Sequence, residues 1–156
     1  MRLYFLRHAH AVPGLDDASR PLSDKGEEQC RQLGRFCRGC DILFDHAFSS
    51  PLLRARDTAE RVLQVTNEAC PIELQVVNAL TNEALPGEFQ QWLADLPEEG
   101  HVLLVGHMPS LAAHARYVLG MERNESLSLP KAGLLCVAMR NEQEGGLKFM
   151  VSPKYL

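Results

Sequence analysis

The sequence predicts an α/β fold, a three-layer sandwich with a mostly parallel central sheet flanked by helices. Three observations carry that expectation. Short apolar runs alternate along the chain with longer segments of helical period. Arg7-His8, Ser49-Ser50-Pro51 and Gly106-His107 each fall just after a strand-like run, where open parallel sheets gather their ligand-binding residues. The length, 156 residues, suits one domain, 1–156, built around one core.

The elements follow in order. Residues 3–6 form a short buried strand that ends at Arg7-His8. After a polar loop, Ser23-Asp24-Lys25-Gly26-Glu27 starts a helix, and Asp24 with Glu27 three residues on fits a capping box. Cys30, Leu33 and Cys37 recur at helical spacing, and Gly39 is the stop. Residues 46–49 are a second strand, closed by Pro51. Residues 53–64 are a helix with Ala55, Ala59, Val62 and Leu63 on one side. Ile72, Leu74 and Val76 alternate as a strand does. Phe89, Trp92, Leu93 and Leu96 suit a short amphipathic helix. Residues 102–105 are the clearest buried strand; Gly106-His107-Met108-Pro109 follows, and a helix begins over 110–119. Residues 134–139 and 147–151 are late strands, with Gly145-Gly146 as the turn between them. The substantial loops are 14–21 and 120–131.

Composition excludes several classes. Lys plus Arg number 16 against 20 for Asp plus Glu, a formal charge of −4, so no basic excess points to nucleic acid. No apolar run approaches membrane-spanning length, and the one at 3–6 is too short for a signal peptide. Five cysteines, an odd number without a secretion signal, point to reduced thiols and a cytoplasmic protein.

An acidic chain that binds phosphate must concentrate positive charge locally, which makes individual arginines informative. A neutral imidazole at His8 can attack phosphorus, and the adjacent Arg7 disfavours the imidazolium. Alone, the dipeptide reads equally as a surface His beside a surface Arg. Arg54 lies in the first turn of its helix, where the dipole repels cations; a phosphate bridging helix start and guanidinium removes that conflict. Arg56 is the rival, solvated or paired with Glu60. His107 is placed to donate to a phosphate oxygen or to sit as a buried structural His; His114 reads as structural.

Arg7-His8-Ala9, Leu22-Ser23-Asp24-Lys25-Gly26, Ser50-Pro51-Leu52-Leu53-Arg54-Ala55 with Thr58-Ala59, and Gly106-His107-Met108-Pro109 together resemble the histidine phosphatase superfamily, the phosphoglycerate-mutase-like proteins. The match follows the family's order across about two-thirds of the chain. The resemblance implies a nucleophilic His8, a phosphate pocket of Arg7, His8, Arg54 and His107, and neither metal nor cofactor. Ala9-His10 departs from the family's usual Gly followed by Glu, which leaves the role of His10 open. Many members place a catalytic acid after the third strand. Glu83 is the candidate here; Glu88, Asp16 and Asp17 are the others.

With no inserted lid, the site suits a phosphate carried on a protein surface, and the chain resembles the compact SixA-type phosphohistidine phosphatases. That resemblance implies a phosphorylated protein, a histidine phosphotransfer domain, as partner. A small phosphate ester is the second substrate class. Two readings of other kinds stand beside it: a zinc site built on His8-Ala9-His10 or on Cys37-x-x-Cys40, and a phosphate-binding interaction domain without turnover.

Overall fold

The computed structural model describes residues 1–122, 125–141 and 144–156. The chain runs β1 (Arg2–Arg7), α1 (Asp24–Gly39), β2 (His46–Ser49), α2 (Leu53–Thr66), β3 (Leu74–Val76), α3 (Pro86–Ala94), β4 (His101–Gly106), α4 (Ser110–Val118), β5 (Leu134–Met139) and β6 (Gly145–Val151). Six strands form one sheet in the order β3-β2-β4-β1-β5-β6. β1, β2, β3 and β4 are parallel; β5 runs antiparallel to β1, and β6 antiparallel to β5. The mostly parallel sheet of the α/β sandwich is therefore observed, with β5 alone reversed.

Alternation along the strands builds two helical layers. Tyr4, Leu6, Leu103 and Val105 face α1 and α2, packing with Cys30, Leu33, Ala55, Ala59 and Val62. Leu3, Phe5, Val102 and Leu104 face α3 and α4, packing with Phe89, Leu93, Leu111 and Ala115. Both faces of the central strands are apolar, as a covered parallel sheet requires.

Several boundaries differ from the sequence expectation for physical reasons. Ser23, not Asp24, caps α1: its hydroxyl accepts from Gly26 N, while Glu27 reaches across to Arg61 of α2. Gly145-Gly146 is not a turn but the start of β6. A Cβ on Gly145 would lie 2.4 Å from Val137 Cγ1 and 2.6 Å from Val118 O, so the sheet passes α4 there only without a side chain. Ile72 and Leu96 pack on the core from outside β3 and α3. The long loop expected over 120–131 includes residues 123 and 124, which lie outside the described residues.

Register sets the functional edge. Arg7 pairs with Gly106 and Ser49 with Val105, so β1, β2 and β4 end together. Because β5 is reversed, Leu134 pairs with Leu6, and the loop entering β5 reaches this same edge. All five cysteines are free thiols; Cys30, Cys37 and Cys136 are buried, and burial pushes Cys30 and Cys37 up to about 12. Among the described residues no helix is long and apolar enough to cross a membrane.

Candidate active site

Arg7 closes β1, and its backbone N–H donates to Gly133 O at 3.1 Å. His8 N donates to Gly106 O at 3.0 Å, which ties the residue after β1 to the end of β4. The next residue is held from α2: Ala9 N donates to Thr58 Oγ1 at 2.9 Å, and that hydroxyl donates to Arg54 O at 2.6 Å. One threonine thus fixes the His8 turn against the first turn of the helix carrying Arg54. From the other side α1 supports the loop through Gly26, where a Cβ would lie 2.0 Å from His10 O.

His8 Nδ1 lies 2.8 Å from Ala9 O. A carbonyl only accepts, so Nδ1 carries the ring proton and Nε2 keeps the free electron pair. Burial, then the fields of His107, Arg54 and Lys131, push the pKa of His8 down to about 3. The side chain is neutral at any ordinary pH, the form a nucleophile needs.

The rings of His8 and His107 lie 5.1 Å apart. Ser50 Oγ meets His107 Nε2 at 2.5 Å. Burial and Arg54 push His107 down to about 4, so it too is neutral. Gly106, just before it, admits no side chain easily: a Cβ would lie 3.1 Å from Leu80 O. Arg7 Nη1 donates to Leu129 O at 2.9 Å, and burial lowers the pKa of Arg7. Arg54 donates through Nη1 to Asp17 O at 2.8 Å and through Nη2 to Asp17 Oδ2 at 3.1 Å.

Arg7 Nε, Arg54 Nε and His107 Nδ1 are buried without a hydrogen-bond partner. Each belongs to a residue expected to hold phosphate. Unmatched buried polar atoms are costly; the two guanidinium N–H groups are donors, and His107 Nδ1 is a third when Ser50 donates to Nε2, so the cluster around His8 can receive an anion. Arg56 Nε and His114 Nε2 share the condition. His114 stacks on Phe89 with ring centroids 3.9 Å apart, as a structural histidine does. Among the described residues no ion pair joins Arg56 to Glu60.

The structure thus brings Arg7, His8, Arg54 and His107 together. Glu83 is exposed on the loop before α3, and its neighbour Asn82 clamps that loop to Met108 O at 3.0 Å and Ser110 N at 3.3 Å. Glu88 is exposed in the first turn of α3. Asp16 caps a short 3-10 turn, accepting from Ala18 N and from Ser19 Oγ. Asp17 is the carboxylate that touches the cluster, and Arg54 holds its pKa below the ordinary value. His10 turns away to Ser23 Oγ at 2.6 Å. Among the described residues no three His, Cys, Asp or Glu side chains come together as metal ligands.

Sequence reasoning missed Thr58 as a clamp, Ser50 as the partner of His107, and Lys131. Lys131 stands on the loop entering β5 and is felt electrostatically by His8. The signal for Lys131 was strand direction: residues before an antiparallel strand lie with the ends of the parallel ones.

The family model for the histidine phosphatase superfamily (branch 1) matches residues 3–91. An uncharacterized protein of Picosynechococcus sp. is 31% identical over 100% of this chain and 99% of its own. Phosphohistidine phosphatase SixA of Escherichia coli K12 is 30% identical over 112 residues, 70% of this chain and 68% of that protein. Among solved structures, the protein histidine phosphatase SixA complexed with tungstate superposes with a TM-score of 0.87, covering 99% of both chains at 23% identity.

Proposed function

The chain belongs to the histidine phosphatase superfamily (branch 1), and from that premise we propose that it removes phosphate from phosphohistidine on a protein phosphotransfer domain, through a phosphohistidine intermediate on His8. One observation carries the reading: a histidine neutral, proton-fixed at Nδ1 and free at Nε2, amid buried unmatched nitrogens of Arg7, Arg54 and His107.

The chemistry has two steps. His8 Nε2 attacks phosphorus; the bond from phosphorus to the leaving group breaks, and that group departs with the electron pair and a proton. Water then attacks phospho-His8, the P–N bond breaks, and orthophosphate leaves. Arg7, Arg54 and His107 hold the equatorial oxygens throughout, and positioning with electrostatics supplies most of the catalysis. The two guanidiniums provide the positive charge, so the reading requires no metal and no cofactor; activity should survive a chelator.

The leaving group favours a phosphoramidate. A phosphohistidine whose second ring nitrogen already carries a proton departs as neutral imidazole, taking that proton with it and needing no strong acid, whereas an alkoxide needs one. Among the described residues, Asp17 is the carboxylate bonded to the cluster, and it is bonded to Arg54. Glu83, on the loop clamped to the His107 turn, is the donor we assign for oxygen leaving groups. An open mouth fits a protein substrate: Leu15 is fully exposed two residues from Asp17, and Leu85 is exposed beyond Glu83. SixA, the relative, carries the same activity in its name, and tungstate in its complex is a tetrahedral oxyanion like phosphate. The cytoplasm, where phosphotransfer proteins work, is the compartment we assign.

The test compares hydrolysis of a phosphorylated phosphotransfer protein with a panel of small phosphate esters. The protein should be the faster by kcat/KM, and His8→Ala, verified as folded, should be inactive on both. Faster hydrolysis of an ester would transfer the reading to a small-molecule phosphomonoesterase.

A further inference from the structure

Lys131 is half-buried, on a loop held at Leu129, Ala132 and Gly133. Ala132 N donates to Arg7 O at 3.1 Å and to His8 O at 3.3 Å, Gly133 O accepts from Arg7 N, and Leu129 O accepts from the Arg7 guanidinium. Ala132 holds a φ of 56°, the left-handed bend that turns the loop there. Burial and the fields of Arg7, Arg20 and Arg54 weaken Lys131's hold on its proton. A half-buried lysine in the field of three arginines, with no carboxylate paired to it among the described residues, is held at a cost, which an anion would relieve.

The same lysine lines a cleft of about 620 Å³. Lys25, Glu28, Gln29, Ser152 and Lys154 line it too. Gln29 Oε1 accepts from His10 N at 2.9 Å, which joins the cleft wall to the loop after His8. Glu28, the carboxylate in the wall, is engaged by Arg31 at 2.7 Å. Lys25 and Lys154 are exposed. In a chain of net charge −4, three lysines against one engaged glutamate make a local basic groove, and Lys131 and Gln29 tie its wall to the loops beside His8.

We propose that this groove binds an acidic segment of the protein substrate, flanking the phosphorylated residue, with Lys131 taking the carboxylate nearest the phosphoryl group and Lys25 and Lys154 those further out. The inference rests on the protein-substrate reading. It assigns to the groove what the phosphate pocket cannot supply, a means to tell one phosphorylated surface from another.

The test uses two phosphohistidine peptides, one flanked by glutamates and one by serines, with an aryl phosphate as control. The wild-type enzyme should hydrolyse the glutamate peptide about tenfold faster by kcat/KM at low salt, and high salt should erase the difference. K25E/K154E should lose the preference and keep its rate on the aryl phosphate. Equal rates on the two peptides overturn the docking inference and leave the phosphatase reading standing. A variant slowed alike on all three substrates overturns it as well. Hydrolysis of the aryl phosphate with neither peptide touched overturns both.

Discussion

Thr58 is fully buried and does two things at once, accepting from Ala9 N and donating to Arg54 O. The distance between His8 and Arg54, the nucleophile and a phosphate ligand on the proposed reading, depends on it. Thr58→Val keeps the shape and strands a buried N–H, which costs about 1–3 kcal/mol. A urea titration should show that loss, kcat should fall with it, and Thr58→Ser should restore both. Asp17 poses a sharper question. Its exposed carboxylate accepts from Arg54 Nη2, while its backbone carbonyl accepts from Nη1, so on the proposed reading Asp17 competes with phosphate for Arg54. Asp17→Asn should therefore let orthophosphate inhibit at a few-fold lower concentration, with kcat kept; a collapse of kcat would make Asp17 the proton donor. Glu83→Gln separates the leaving groups. It should slow alkyl phosphate esters and leave phosphohistidine untouched, since imidazole departs without a strong acid.

At the level of elements, the site is legible wherever a parallel strand ends. Arg7-His8, the Ser50-to-Arg54 turn and Gly106-His107 all stand where apolar runs stop, and the register of β1, β2 and β4 brings those ends level. Lys131 was not legible, because it precedes a strand; only the reversal of β5 carries it to the same edge. The cap of α1 was misplaced by one residue because Ser23 and Asp24 are both good caps, and the choice belongs to a tertiary contact. Ser23 also bonds His10, so the cap holds the loop after His8. Gly26 completes that joint. With His10 O only 2.0 Å from where a Cβ would stand, Gly26→Ala must push α1 and the His8 loop apart. Overpacking of this kind costs about 1–3 kcal/mol. Because the displaced loop follows directly on His8, the proposed nucleophile, activity should fall further than stability does. Aryl phosphate turnover measured beside a thermal melt would show the gap; full turnover in a destabilised variant would place Gly26 in folding alone.

The whole molecule bears the consequence of keeping its histidines neutral. His8 is pushed down to about 3, and His107 and His114 to about 4, each mainly by burial. In the unfolded chain all three return to about 6.5. A depressed native pKa means that the unfolded chain binds the proton first. The stability these groups preserve is complete above pH 6.5 or so and is lost as pH falls toward 4 and then 3. Near pH 5 unfolding takes up close to three protons through them, a slope of about 4 kcal/mol per pH unit. Urea midpoints between pH 7.5 and 5 should fall accordingly. His114→Phe isolates the share outside the site: stacked on Phe89, it can be replaced by another ring. That variant should take up about one proton fewer on unfolding near pH 5, with a correspondingly shallower slope, and retain its phosphatase activity. An unchanged slope would mean that His114 is protonated in the native state, and lost activity would mean that it belongs to the site. The remaining pH dependence then belongs to His8 and His107, and orthophosphate, bound only by the native pocket, should raise the midpoint at every pH at which they remain neutral.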